Sequence, residues 1–121
     1  MAEVAPAQSV SSPCDIVRAE IGKYGDWDVN TMAAIAQAEN TTCNETRHNM
    51  TASETHRNMR GEVVCVGSYG VLQVGCVHYG AGDDPNDLVT NIRIAHAVWL
   101  KQGYRAWTQY SNGKYKEYLW K

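Results

Sequence analysis

Asp28-Val29-Asn30-Thr31-Met32-Ala33-Ala34-Ile35-Ala36-Gln37-Ala38-Glu39 is the stretch on which the fold turns. Asp28 or Asn30 can accept from the free amides of a helix start. Met32, Ile35, Ala36 and Glu39 follow at i, i+3, i+4 and i+7, which puts all four on one stripe of that helix. A carboxylate therefore ends an otherwise apolar face.

Upstream, Ser12 before Pro13 is a helix-start signal with proline at the first helical position, and Val17, Ile21 and Tyr24 share a side of the helix it opens. Gly25 is placed to end that helix in the left-handed conformation. Residues 1–13 read as a flexible tail and residues 14–121 as one domain. Downstream, positions 40–61 are polar and without period, unusually long for a connection inside a small domain. Glu62 to Cys65 and Tyr69 to Val74 are β-rich runs, and Gly67-Ser68 between them reads as the turn of a hairpin. Asp84-Pro85 offers a cap and first turn for the strongest helix, along which Leu88, Ile92, Ala95 and Trp99 recur before Gly103 stops it. A further helical turn or two spans Tyr104–Tyr110, and Ser111, Asn112 and Gly113 turn the chain before a last short helix that ends near Trp120. The expected class is α+β, mostly helical with one small β-hairpin beside a cleft.

Composition narrows the function. The 121 residues fit one domain, and 44% hydrophobic content is enough for one core. Eleven basic against thirteen acidic residues give a net charge of −2 with no basic run, which disfavours nucleic acid as a partner. No apolar run approaches the ~18–20 residues of a membrane span. Four cysteines (Cys14, Cys43, Cys65, Cys76) without a C-x-x-C pair suit two disulfides in an exported protein, with three connectivities open. The polar segment Ala2–Pro13 reads as what remains after a signal segment is removed. The four histidines are irregularly spaced, so solvated or singly bonded imidazoles are expected rather than a metal site, and no cofactor is expected.

Glu39 is the residue most suited to chemistry, because burial on a helical stripe raises a carboxyl pKa toward the range a general acid needs. The competing reading lets Glu39 end its helix in solvent or pair with Arg47 or Arg105. Two-carboxylate glycoside hydrolysis would need a partner from Glu45, Glu54 or Glu62. Trp107, Tyr110 and Tyr104 are suited to stacking on sugar faces.

Three segments in this order, Ala34-Ile35-Ala36-Gln37-Ala38-Glu39, then Gly67-Ser68-Tyr69-Gly70-Val71-Leu72-Gln73-Val74, then Asp84-Pro85 with Asn91-Ile92 and Ala106-Trp107-Thr108-Gln109-Tyr110-Ser111-Asn112-Gly113-Lys114-Tyr115, resemble the lysozyme-like superfamily. The likeness is to the catalytic domains of soluble lytic transglycosylases and goose-type lysozymes, and covers roughly residues 14–118. It implies a peptidoglycan-cleaving glycosidase acting on the β-1,4 bond between N-acetylmuramic acid and N-acetylglucosamine. Glu39 would be the general acid and base, Ser68, Tyr69, Gly70 and Gln73 would bind substrate, and Tyr110 would place a hydroxyl near the glutamate. Ser68 stands where chicken-type lysozymes carry an aspartate, so two routes remain open. Either the muramyl 6-hydroxyl attacks and an anhydro sugar forms, or a water is activated by a second carboxylate, for which Glu62 is the candidate.

The implied enzyme is a monomer acting on peptidoglycan glycan strands, periplasmic, cell-surface or extracellular. Asn-x-Thr acceptors at Asn40, Asn44 and Asn49 would crowd its cleft with glycans in a eukaryotic secretory pathway, which points to a bacterial or phage source. The alternatives are a catalytically inactive glycan-binding or structural module on the same fold, and a Cys/His metalloprotein that would hold zinc as purified and show free thiols only after chelation.

Overall fold

The computed structural model describes residues 12–50 and 55–120. Ser12 caps helix α1 (Pro13–Ile21): its hydroxyl accepts from the Asp15 amide at 3.2 Å while the Asp15 carboxylate accepts from the Ser12 amide at 3.4 Å. The helix ends at Gly22 in a right-handed conformation, three residues before Gly25. The Trp27 indole donates to the Ile21 carbonyl at 3.0 Å, which satisfies a last-turn acceptor and folds the chain back early.

Helix α2 (Val29–Glu39) starts where Asp28 accepts from the Asn30 amide and the Thr31 hydroxyl. Met32, Ala33, Ala34, Ile35 and Ala36 are all buried, so the middle of the helix is enclosed on every side rather than along one stripe. It is the central rod of the molecule. A disulfide from Cys14 to Cys43 ties α1 to the chain just beyond α2, and not to the β region.

The β region departs from the expected hairpin. Strand β1 (His48–Asn49) and strand β2 (Thr55–Arg57) lie inside the polar stretch that looked structureless. Strand β3 (Val63–Val66) pairs antiparallel with β2, and not with the chain after Gly67. Strand β4 (Ser68–Tyr69) pairs with β1 on one side and with β5 (Val74–Gly75) on the other. The hairpin turn is thus residues 70–73, not Gly67-Ser68. Gly67 is instead a corner with φ +86°, where any Cβ would collide with the Asn49 carbonyl. The corner turns β3 out of the sheet that β4 joins. A second disulfide, Cys65–Cys76, links β3 to the 3₁₀ turn Cys76–His78.

Helix α3 (Leu88–Gln102) begins three residues later than Asp84-Pro85 suggests. Asp84 caps only a local turn through the Asn86 amide at 2.9 Å, whereas Asp87 accepts from both the amide and the hydroxyl of Thr90. Gly103 stops the helix as expected, at φ +69°. A 3₁₀ turn (Gly103–Ala106), helix α4 (Thr108–Ser111) and a 3₁₀ turn (Lys114–Tyr118) close the chain against α2. The core joins Ile21, Met32, Ile35, Leu72 and Ile92, all fully buried, with Trp27 and Trp107 at its edges. The class is α+β and mostly helical. Among the described residues no helix is long and apolar enough to cross a membrane.

Candidate active site

An open cleft of about 360 Å³ lies between the end of α2, the small sheets and the Ala106–Thr108 corner. That volume is at the lower end of the range for small-ligand sites. Glu39 lines it from the last residue of α2, half-buried. Ser68 and Gln73 face it from the β4–β5 hairpin, and Trp107 closes one wall.

Two buried asparagines hold the hairpin in place. Asn40, directly after Glu39, donates through Nδ2 to the Asn44 carbonyl at 2.7 Å and the Gly70 carbonyl at 3.3 Å, while its Oδ1 accepts from the Asn44 amide. Asn91 on α3 donates to the Tyr69 carbonyl at 2.8 Å and the Tyr79 hydroxyl at 2.6 Å, and accepts from the Leu72 amide at 3.1 Å. Every polar atom of the Asn91 side chain is thereby used, as a buried amide requires. Burial pushes the Tyr79 phenol up to about 12, although its bond from Asn91 acts in the opposite direction. Tyr79 is therefore a neutral structural hydroxyl.

Gly70 has φ +79°, and a Cβ there would stand 2.5 Å from Asn91 Nδ2. The close approach that glycine permits is to Asn91. Gln73 adopts φ +45°, and its Nε2 donates to the Gly70 carbonyl at 2.8 Å and the Arg47 carbonyl at 3.3 Å. Its side chain braces its own turn and lines the cleft as well. Trp107 is 4% exposed and donates through Nε1 to the Leu72 carbonyl at 2.8 Å, which fastens the Ala106–Thr108 corner to the hairpin.

Other candidates lie elsewhere. Tyr69 points away from Ser68 along the strand and stacks on His48 at 3.8 Å between centroids. Tyr110 is the middle of a stack, 5.3 Å from Tyr104 and 5.0 Å from Tyr115, and packs on the core; the cleft is reached instead by Ala106, Trp107 and Thr108. Glu62 is at the exposed connection between β2 and β3, accepting from Asn58 at 2.8 Å and paired with Arg60 at 3.4 Å. Its side chain is 62% exposed and is not among the residues that line the cleft. Glu45 is exposed and lines a separate hollow beside α1, and Glu54 falls outside the described residues.

His56 on β2 and His78 after the Cys65–Cys76 bridge also line the cleft, and sequence reasoning missed both. The other histidines are structural. His48 donates to the Val66 carbonyl at 2.7 Å, and His96 contacts Asp26 at 2.7 Å. All four cysteines are in disulfides, so none is left as a thiol that could ligate a metal. Among the described residues no group of three His, Cys, Asp or Glu side chains could hold a metal ion.

Chemically, the described residues of the cleft offer a half-buried carboxyl group, amide and hydroxyl groups beside it, an indole wall and two imidazoles. Protein-family models, curated proteins and solved structures were all compared with the chain, and none matches.

Proposed function

We propose that this protein is a peptidoglycan-cleaving glycosidase of lysozyme-like architecture, with Glu39 as general acid and then base. The observation that carries the reading is the placement of Glu39: a half-buried carboxyl at the end of the central helix, lining an open cleft with Ser68, Gln73 and Trp107. The sequence likeness adds the substrate, the bond between N-acetylmuramic acid and N-acetylglucosamine.

The route needs one carboxyl group. Protonated Glu39 gives its proton to the glycosidic oxygen as the bond from the muramyl anomeric carbon to that oxygen breaks, releasing the N-acetylglucosamine 4-hydroxyl. The muramyl 6-hydroxyl then attacks the anomeric carbon. The Glu39 carboxylate takes the hydroxyl proton, which closes a 1,6-anhydro ring and restores the acid without consuming water. Gln73, rigid because its amide braces the turn, and the indole of Trp107 would hold the sugar against Glu39. The two disulfides suit an oxidising compartment, which supports export.

Release of dye from labelled, purified sacculi tests this. Wild type should release dye and Glu39→Gln should be slower by about a hundredfold or more, the usual contribution of a general acid. A wild-type protein that sediments with sacculi and releases nothing would instead be a binding module.

A further inference from the structure

Three Asn-x-Thr acceptors follow α2, Asn40-Thr41-Thr42, Asn44-Glu45-Thr46 and Asn49-Met50-Thr51, and the fold puts their asparagines in different surroundings. Asn40 is 1% exposed, and its Nδ2 is spent on the Asn44 and Gly70 carbonyls, so nothing can be attached there without opening the hairpin. Asn49 is half-buried on β1 and lines the cleft, where a sugar on its side chain would take the space that Glu39 also lines. Asn44 is exposed. Its Oδ1 accepts from the Thr46 amide at 3.0 Å and from the Thr46 hydroxyl at 2.9 Å, an Asx turn closed by the third residue of the acceptor. Among the described residues its Nδ2 donates to no partner. The Asn44 backbone is held by Asn40, whose Oδ1 accepts from its amide at 3.1 Å and whose Nδ2 donates to its carbonyl at 2.7 Å. Asn44 is not among the residues that line the cleft, and its neighbours Cys43 and Glu45 line the hollow beside α1.

We propose that Asn44 is the acceptor of an N-linked glycan, and that Asn40 and Asn49 stay unmodified in the folded chain. The donor is an oligosaccharide on a lipid pyrophosphate, transferred by an enzyme of a secretory route. Asn44 Nδ2 attacks the anomeric carbon, the bond from that carbon to the pyrophosphate oxygen breaks, the lipid pyrophosphate leaves and one amide proton passes to solvent. No oxidation or reduction is involved. Oδ1 is untouched by the transfer, so both bonds from Thr46 survive it. The expectation that glycans crowd the cleft thus holds for Asn49 and fails for Asn44, and an exported chain can carry this sugar with the cleft open. The acceptor at Asn44 therefore does not argue against a eukaryotic secretory origin. The proposal does not depend on the glycosidase reading.

The test is site mapping on the whole chain, expressed in yeast behind a cleavable leader and purified in folded form from the medium, or from the lysate where it stays in the cell. Peptide-N-glycosidase leaves an aspartate at each occupied asparagine, and peptide mass spectrometry against untreated protein should find that conversion at Asn44 alone. The glycan mass should be lost in Asn44→Gln and in Thr46→Ala, and kept in Thr46→Ser, which retains the hydroxyl. Asn44 and Thr46 are exposed, and unchanged melting curves confirm that the variants are folded. Folded wild-type protein that carries no glycan, or carries one at Asn40 or Asn49, overturns the proposal. A glycan at Asn44 that survives Thr46→Ala overturns it as well, because the turn closed by Thr46 would then have no part in the site.

Discussion

Asn40 and Gly70, thirty positions apart, are joined by a 3.3 Å hydrogen bond from the Asn40 amide to the Gly70 carbonyl. The residue after the candidate acid is thus tied to the turn that carries Gln73. The same carbonyl accepts from Gln73 Nε2, so helix end, turn and cleft side chain share one acceptor. Gly70 is fixed there by its positive φ and by Asn91 at the position of its missing Cβ. Gly70→Ala should therefore lower stability by about 2 kcal/mol or more, combining left-handed strain with displacement of a buried amide. Urea denaturation measures this, and a change below about 0.5 kcal/mol would contradict the packing described.

The two disulfides should differ in weight. Cys14–Cys43 spans 29 positions and Cys65–Cys76 spans 11. By the loop-entropy argument the longer contributes about 4 kcal/mol and the shorter about 3 kcal/mol. Paired Cys→Ser replacements should lower the melting temperature more for Cys14/Cys43. Replacement of Cys65/Cys76 should instead weaken sacculus release more than stability, because that bridge holds the strand after His56 to the turn that carries His78. Equal loss of release in both pairs would refute the second half of this expectation.

Acid should loosen the α1–α2 connection. The bond from His96 holds the Asp26 carboxyl below its ordinary value, with backbone amides helping and burial opposing. A carboxyl lowered in the folded state stabilises above its unfolded pKa, and that contribution is lost as pH falls through the folded value. The window therefore opens near pH 4, the ordinary carboxyl value, and lies below it. Asp83, held low by the Gly80 amide and by Arg93, and Asp87, held low by Thr90, act in the same direction. Thermal melts across this window should fall with acid, and Asp26→Asn should flatten the fall. An unchanged acid slope in Asp26→Asn would remove the pair from the account.

Legibility in the sequence followed the range of the interactions. Local signals were readable: the Ser12-Pro13 start, the Asp28 cap, the Met32 to Glu39 spacing and the Gly103 stop depend on neighbours a turn away. Glu39 was singled out by its helical spacing, and Ser68 and Gln73 by the resemblance of the Gly67–Val74 segment; the three line one cleft. Strand pairing was not readable. The runs before and after Gly67 look like two arms of one hairpin, yet β3 turns back to β2, whose three residues carry no apolar alternation. His56 was hidden for the same reason. His78 could have been found only through the Cys65–Cys76 bridge, one of three connectivities the spacing allowed. Helix starts were ambiguous where two aspartates competed, Asp84 and Asp87, since only the geometry of Thr90 decides between them.

The measurement that bears most directly on the central claim is mass spectrometry of muropeptides released from purified peptidoglycan by wild type and by Glu39→Gln. The account predicts 1,6-anhydro products from wild type and none from a folded Glu39→Gln protein. Release at wild-type rates by Glu39→Gln would contradict it, because the proton donor would then lie elsewhere. Reducing-end products from wild type would contradict the 6-hydroxyl route and place a water in the cleft.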